Sequence, residues 1–160
     1  MDQVEYRQIT KKEIESYRDL ILPDIYEELE HSESPESGYI ALAAWIDDKP
    51  VSAIVVDPED NGDLVMLSIW TDQEYRRRGI ASGLLQKMTY VAYRLYDWED
   101  MQYGDDIILK TMYCLADSFR APFEAWLEKN SFTDFTVMSR ADDDRPDICG
   151  ASAEIHYYRM

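Results

Sequence analysis

Three arginines run into a glycine at Arg76-Arg77-Arg78-Gly79, within the stretch TDQEYRRRGIASGLLQKM of residues 71–88. The chain around them is strongly acidic, with a formal net charge of −17. Arginines cluster where an anion is held. The spacing predicts a strand, a short turn and a helix that begins near Arg78 or Gly79. The first turn of a helix leaves backbone N–H groups unpaired at the positive end of the macrodipole. Phosphate and pyrophosphate groups bind there. Gly79 lets a phosphate approach the backbone with no Cβ in the way. Ala81 and Ser82 keep the turn small, and the arginines add charge at its rim. The chemistry implied is retention of a phosphorylated cofactor. The competing reading is a basic helix start that offsets Asp72 and Glu74.

Two familiar phosphate motifs are absent. There is no G-x-x-x-x-G-K-[ST] and no G-x-G-x-x-G. Nor does the rest of the chain offer a metal site. His31 is expected in an acidic surface loop and His156 on the last strand, and neither has a partner at ligand spacing. DDDRPD lacks the glycine and distant glutamate of a calcium loop. The two cysteines form no disulfide framework. Cys114 is expected to be buried and Cys149 to lie in a loop. The charge disfavours nucleic acid and anionic membranes. The N-terminal residues show no apolar signal region, and no run is long enough to span a membrane. The expected location is cytoplasmic.

The elements that must hold the arginine turn can be read from periodicity. VEYRQI alternates as a first strand. Thr10 and Glu13 have capping-box spacing, and Ile14, Tyr17 and Ile21 share a helical face that Pro23 ends. DIYEELE is a short acidic helix, and no Lys or Arg occurs from Asp19 to Asp48. YIALAAWID and PVSAIVVD form a strand pair turned at Asp47, Asp48 and Lys49. LVMLSIW is a third strand of this meander. Ile80, Leu84, Met88, Val91, Leu95 and Trp98 mark one face of a long helix. The aromatic residues of TYVAYRLYDW belong largely to that packing face. DIILKTMY is an apolar strand. APFEAWLEKNSF is an amphipathic helix with Pro122 in its first turn. FTVMSRADDDRPD and AEIHYYRM close the chain as two strands around an acidic loop. The expectation is one α/β domain over 1–160, with a mixed, mostly antiparallel sheet of about seven strands and helices on both faces.

Arg76-Arg77-Arg78-Gly79-Ile80-Ala81 resembles the acyl-CoA loop of the GNAT superfamily of N-acetyltransferases. That signature is Arg or Gln, two residues, Gly, one residue, then Gly or Ala. FEAWLEKNSF is similar to the family's late helix, A-x-x-x-Y-E-K-x-G-F. The element order resembles the family's over essentially all 160 residues. The resemblance implies a sheet splayed between the fourth and fifth strands, with acetyl-CoA as co-substrate. The pantetheine arm would pair with Ile69, Trp70 and Thr71, and the pyrophosphate would sit on N–H groups between Arg77 and Ser82, within a cofactor-binding loop of Arg76, Arg77, Arg78, Gly79, Ile80, Ala81 and Ser82. A neutral amine would attack the thioester, with a carbonyl-polarising donor on the fourth strand and an acid for the leaving thiolate.

The resemblance departs at several positions. The family's usual tyrosine acid falls at Leu127, and the glutamate base of one branch at Val65. The late helix's asparagine falls near Arg120, and its glycine is Ser131. Tyr113, just past the fifth strand, is the candidate catalytic residue in their place, against a packing role; Ser68, Asp117 and Ser118 carry no stronger claim. The family's acceptor enters between the segment joining the first two helices and the hairpin before the last strand. Here those segments carry Asp24, Glu27, Glu28, Glu30, Glu33 and Glu36, and Asp142, Asp143, Asp144 and Asp147. A cationic amine acceptor, small molecule or basic peptide, is therefore expected, and a homodimer is compatible. The alternative is a CoA-binding module of the same fold without efficient transfer. A third reading is an interaction protein with no cofactor.

Overall fold

A computed structural model describes residues 3–31, 39–59, 63–95 and 106–156. It divides into two compact units: Met1–Pro58 with Met66–Met101, and Glu59–Val65 with Gln102–Met160. The elements in chain order begin with β1 (Glu5–Gln8), a 3₁₀ helix (Lys11–Leu20) and α1 (Pro23–Glu30). The strands β2 (Ile40–Ile46), β3 (Lys49–Pro58) and β4 (Leu64–Thr71) follow, then a 3₁₀ turn (Gln73–Tyr75) and α2 (Ile80–Leu95). The chain continues through β5 (Asp106–Cys114), α3 (Asp117–Lys129), β6 (Thr133–Ser139) and β7 (Ile148–His156). The α/β class and the seven strands expected from the sequence are present among the described residues. So is the order of strands and helices.

In the first unit the strands lie in the order β1-β2-β3-β4. The β1–β2 and β2–β3 pairs are antiparallel. Asp47 and Asp48 make the β2–β3 turn, with φ of 51° and 62°. A two-residue type I′ hairpin turn needs positive φ at both central residues, and Asp tolerates it better than most side chains. Lys49 already belongs to β3. One sheet face is small and apolar, through Ala41, Ala43, Ala53 and Val55, and packs on Ile14, Tyr17, Leu20, Tyr26 and Leu29. Helix α2 packs on the same two strands. Ile80, Leu84 and Met88 are buried along it, as the periodicity predicts. At Gly83 a Cβ would meet the Tyr6 hydroxyl, so a side chain there would have to displace the end of Tyr6.

In the second unit β7 lies between β5 and β6, antiparallel to both. The β5–β7 ladder runs from Asp106↔His156 to Cys114↔Ile148. Helix α3 supplies Phe123, whose ring meets Tyr113 edge-on at 5.1 Å and stacks on Trp126 at 6.0 Å.

Several local expectations are corrected. The first helix is 3₁₀, and its buried residues are Ile14, Tyr17 and Leu20. Spacing of three matches three residues per turn, so Ile21 falls beyond the helix. Thr10 is its N-cap, yet its side chain makes no capping bond. Pro23 opens α1, where its missing N–H costs nothing, rather than closing the preceding helix. Helix α2 starts at Ile80, just after the predicted Arg78–Gly79 start. Helix α3 starts at Asp117, so Pro122 lies inside it. The cysteines exchange roles: Cys114 is exposed and Cys149 buried. Cys149 on β7 pairs with buried Tyr113 of β5, while Cys114 falls on the other face of β5. Glu33, Glu36 and Trp98 lie outside the described residues. Among those described, no helix is long and apolar enough to cross a membrane.

Candidate active site

The arginine turn hangs from the end of β4, and the end of β4 is anchored. The Ser52 hydroxyl donates to the Trp70 carbonyl at 2.9 Å and lies 2.8 Å from the Thr71 hydroxyl. The Asp72 amide donates to the Val51 carbonyl at 2.8 Å. The Asp72 carboxylate accepts the Glu74 amide and stands 3.6 Å from Lys49. The chain then turns through Gln73–Tyr75.

Each arginine has a different setting. Arg76 Nε donates to the Thr71 carbonyl at 2.9 Å, and its guanidinium lies over the Trp70 ring. Arg78 donates to the Glu74 carbonyl and lies over Tyr75. Arg77 has a positive φ of 66° and no side-chain partner among the described residues. Gly79 has φ +75°, and a Cβ there would meet nothing within 4 Å. The glycine is thus needed by the backbone, and the space above it is open. Its carbonyl accepts the Gly83 amide at 3.0 Å, the first rung of α2. No acidic residue stands in the first turn of α2. A carboxylate there would compete with an incoming anion for the positive helix end.

The predicted cofactor residues therefore share one unit. Ile69 is half-buried, Trp70 is exposed and Thr71 is 9% exposed on β4. Arg76, Arg77, Arg78 and Gly79 are exposed, Ile80 is buried, and Ala81 and Ser82 are half-buried.

Tyr113 belongs to the second unit and is 8% exposed. Its hydroxyl donates to Glu124 at 2.7 Å. Burial and the Glu124 carboxylate both push the phenol pKa up. Its proton is committed to Glu124, and the phenol is a weaker acid than a free tyrosine. The other Glu124 oxygen accepts Arg120 Nε at 3.0 Å, and Arg120 also reaches Asp147 at 3.2 Å. Asp147 accepts the Ala141 amide at 2.6 Å. That bond and Arg120 hold its carboxyl below the usual range. Only the i,i+4 pair Arg120–Glu124 of this network was visible as a spacing; Asp147 enters from a distant loop. Burial raises the Cys149 thiol.

Leu127 is fully buried and Val65 half-buried. Asp117 and Ser118 are exposed at the start of α3, and Ser68 is buried on β4. His31 caps α1, 3.9 Å from Glu30. No group of His, Cys, Asp and Glu among the described residues is placed to hold a metal. Asp142 Oδ1 accepts the amides of Asp144 and Arg145, so DDDRPD is a self-capped turn. Asp24, Glu27 and Glu28 line the exposed side of α1.

A protein-family model described as acetyltransferase (GNAT) family matches residues 5–95. No curated protein matches the chain. Among solved structures, the ribosomal-protein-S18-alanine N-acetyltransferase from Escherichia coli is 13% identical, with a TM-score of 0.71 over 98% of this chain and 97% of that one. Diaminobutyrate acetyltransferase from Paenibacillus lautus, in complex with L-2,4-diaminobutyric acid and coenzyme A, is 15% identical, with a TM-score of 0.63 over 95% of each chain. The PaiA N-acetyltransferase from Thermoplasma acidophilum, in complex with coenzyme A, is 15% identical, with a TM-score of 0.55 over 92% of this chain and 98% of that one.

Proposed function

We propose that this chain, which belongs to the acetyltransferase (GNAT) family, transfers an acetyl group from acetyl-CoA to a primary amine of a cationic small molecule or basic peptide. The observation that carries this reading is the turn from Arg76 into α2. Gly79 holds φ +75° with open space above it, and no acid stands in the first helical turn. Such a turn suits a pyrophosphate. Ile69, Trp70 and Thr71 would hold the pantetheine arm, and Arg77 to Ser82 the pyrophosphate, with Arg76 in the same cofactor loop. Two structural relatives were solved with coenzyme A, which supports the choice of cofactor.

In the reaction the neutral amine nitrogen forms a bond to the thioester carbon, and the carbonyl electrons move to oxygen. Collapse restores the carbonyl and expels the thiolate of CoA. The proton lost from nitrogen balances the one gained by sulfur. Tyr113 is the tyrosine put forward for protonating the thiolate, and to serve it must release its proton from Glu124. Two exposed acidic segments, one in each unit, support a positively charged acceptor: Asp24, Glu27 and Glu28 on α1, and Asp142, Asp143 and Asp144 in the β6–β7 loop. The diamine acceptor of the Paenibacillus relative is compatible with that charge. The free cysteines support a reducing compartment, and we place the reaction in the cytoplasm as one 160-residue domain.

A second reading keeps CoA binding and drops transfer. It is favoured by Leu127, which fills a buried position where the family pattern has its acid. Thiol release from acetyl-CoA over a panel of mono-, di- and polyamines tests the choice. Release with a polycationic amine supports transfer. A thermal shift with CoA but no release with any amine leaves the binding module. No shift with CoA overturns both.

A further inference from the structure

Ser68 on β4 is 3% exposed. Its Oγ accepts the Leu22 amide at 3.1 Å. Among the described residues this is the only hydrogen bond its side chain makes. A serine hydroxyl has one proton to give as well as lone pairs to receive with. Here a lone pair is used and the proton is not. Ser52, buried on the neighbouring strand, shows the ordinary outcome by donating to the Trp70 carbonyl. A buried donor left unpaired is destabilising and asks for an explanation.

The position supplies one. Ser68 immediately precedes Ile69, Trp70 and Thr71, the stretch assigned above to the pantetheine arm. Ser68 and Trp70 share a face of β4, because strand side chains alternate with period two. Trp70 is 41% exposed, so this face opens to solvent one step along the strand. The bond from Leu22 fixes the Oγ, since that amide approaches from a backbone held between the 3₁₀ helix and α1. The remaining O–H direction is thereby restricted before any ligand arrives.

We propose that the Ser68 hydroxyl donates its unspent proton as a hydrogen bond to the thioester carbonyl oxygen of bound acetyl-CoA. This role rests on the transfer reading above. As the amine nitrogen bonds to the carbonyl carbon, the π electrons move to that oxygen and the hydrogen bond strengthens. When the intermediate collapses, the carbonyl re-forms and the thiolate leaves. Ser68 keeps its proton throughout, so no extra acid or base is needed for this step. A fixed donor aimed at developing charge acts on kcat more than on binding.

The test compares two variants that break the same contact from opposite ends. Ser68→Ala removes the hydroxyl. Leu22→Pro removes the N–H whose hydrogen bond Ser68 accepts, along with a side chain that is 51% exposed. Leu22 has φ −54° and ψ 137°, which proline adopts, and Ile21 before it is extended at φ −126°. Thiol release is measured against amine and acetyl-CoA concentration, with CoA affinity and melting temperature measured in parallel. Ser68→Ala is expected to lower kcat roughly 10²-fold with little change in CoA affinity. Leu22→Pro is expected to lower kcat at least about tenfold less than Ser68→Ala does. Equal losses in the two variants would show that the contact matters as a tie between segments, and would overturn the role. So would a Ser68→Ala enzyme with unchanged kcat. A wild-type chain that releases no thiol with any amine overturns the transfer reading and this role together, which distinguishes the two failures.

Discussion

Arg76 lies over the Trp70 ring, with its guanidinium carbon 4.4 Å from the ring centroid. The same side chain donates to the Thr71 carbonyl. It therefore clamps the end of β4 to the turn that follows. Arg77 next to it has no partner among the described residues. Three arginines that look equivalent in sequence have separate duties. Arg76→Ala is expected to cost about 1 kcal/mol of stability, the scale of one exposed cation–π contact and a hydrogen bond. Arg77→Ala is expected to leave the melting temperature alone and weaken CoA roughly tenfold, as for a lost bond to a charged group. Calorimetric titration and thermal melts on both variants check this. The reverse pattern would exchange the two roles.

Gly79 makes a sharper case. Its φ of +75° disfavours any side chain, while the space around its missing Cβ is empty. Gly79→Ala should cost about 1–2 kcal/mol through the backbone alone. Gly79→Val adds a branched side chain where the phosphate would sit, and should abolish CoA binding while the chain still folds. Binding of CoA to Gly79→Val with unchanged affinity would move the pyrophosphate elsewhere.

Tyr113→Phe separates two roles for one phenol. As the thiol acid, Tyr113 would take roughly 10²-fold from kcat on its loss, with CoA affinity intact. As a buried hydroxyl held by Glu124, it would take stability and leave kcat within about threefold. The 2.7 Å bond to Glu124 makes the second the expected result. A fall of kcat with an unchanged melting temperature would establish the acid.

Two tyrosines also set an alkaline limit. Tyr39 donates to Glu28 at 2.8 Å, and that bond and burial push its pKa up to about 12. Tyr113 is raised through burial and Glu124. An unfolded tyrosine titrates near pH 10, at about the free value. Above that pH the unfolded chain loses protons that the folded chain keeps, so stability falls as pH rises. It is fully present below about pH 10. For Tyr39 the loss is complete once the pH passes about 12. Melting temperature from pH 8 to 12 should bend downward above about pH 10, and Tyr39→Phe should flatten that bend. An unaltered bend would assign it to other groups.

The acceptor reading predicts a salt response. Exposed charges are screened beyond about 8–10 Å at physiological ionic strength. With steering, kcat/KM for a polycationic amine falls steeply with salt, and for a monoamine it barely changes. Charge reversal belongs at Asp143 and Asp144, not Asp142, because Asp142 caps its own turn. Asp143→Lys with Asp144→Lys should reproduce the loss at low salt. Equal salt dependence for both amines would leave these carboxylates as solubilising groups.

What the sequence determined by itself was local. The apolar runs of β2 to β4, the burial stripe of α2 and the turn at Asp47–Asp48 each follow from neighbours a few residues apart. So does the arginine turn with Gly79, because a helix start and a positive φ are properties of a short segment. Tertiary structure decided the rest. It set the 3₁₀ pitch of Lys11–Leu20, where packing on Ala41, Ala43, Ala53 and Val55 selects residues three apart. It exchanged the exposures of Cys114 and Cys149, because strand register chooses the face and register comes from the partner strand. It joined Asp147 to Arg120 and the Leu22 amide to Ser68, 46 residues away. No periodicity encodes such pairs. A hydrogen bond depends on where two side chains end up in space, and distant chain segments meet only after the sheet has formed.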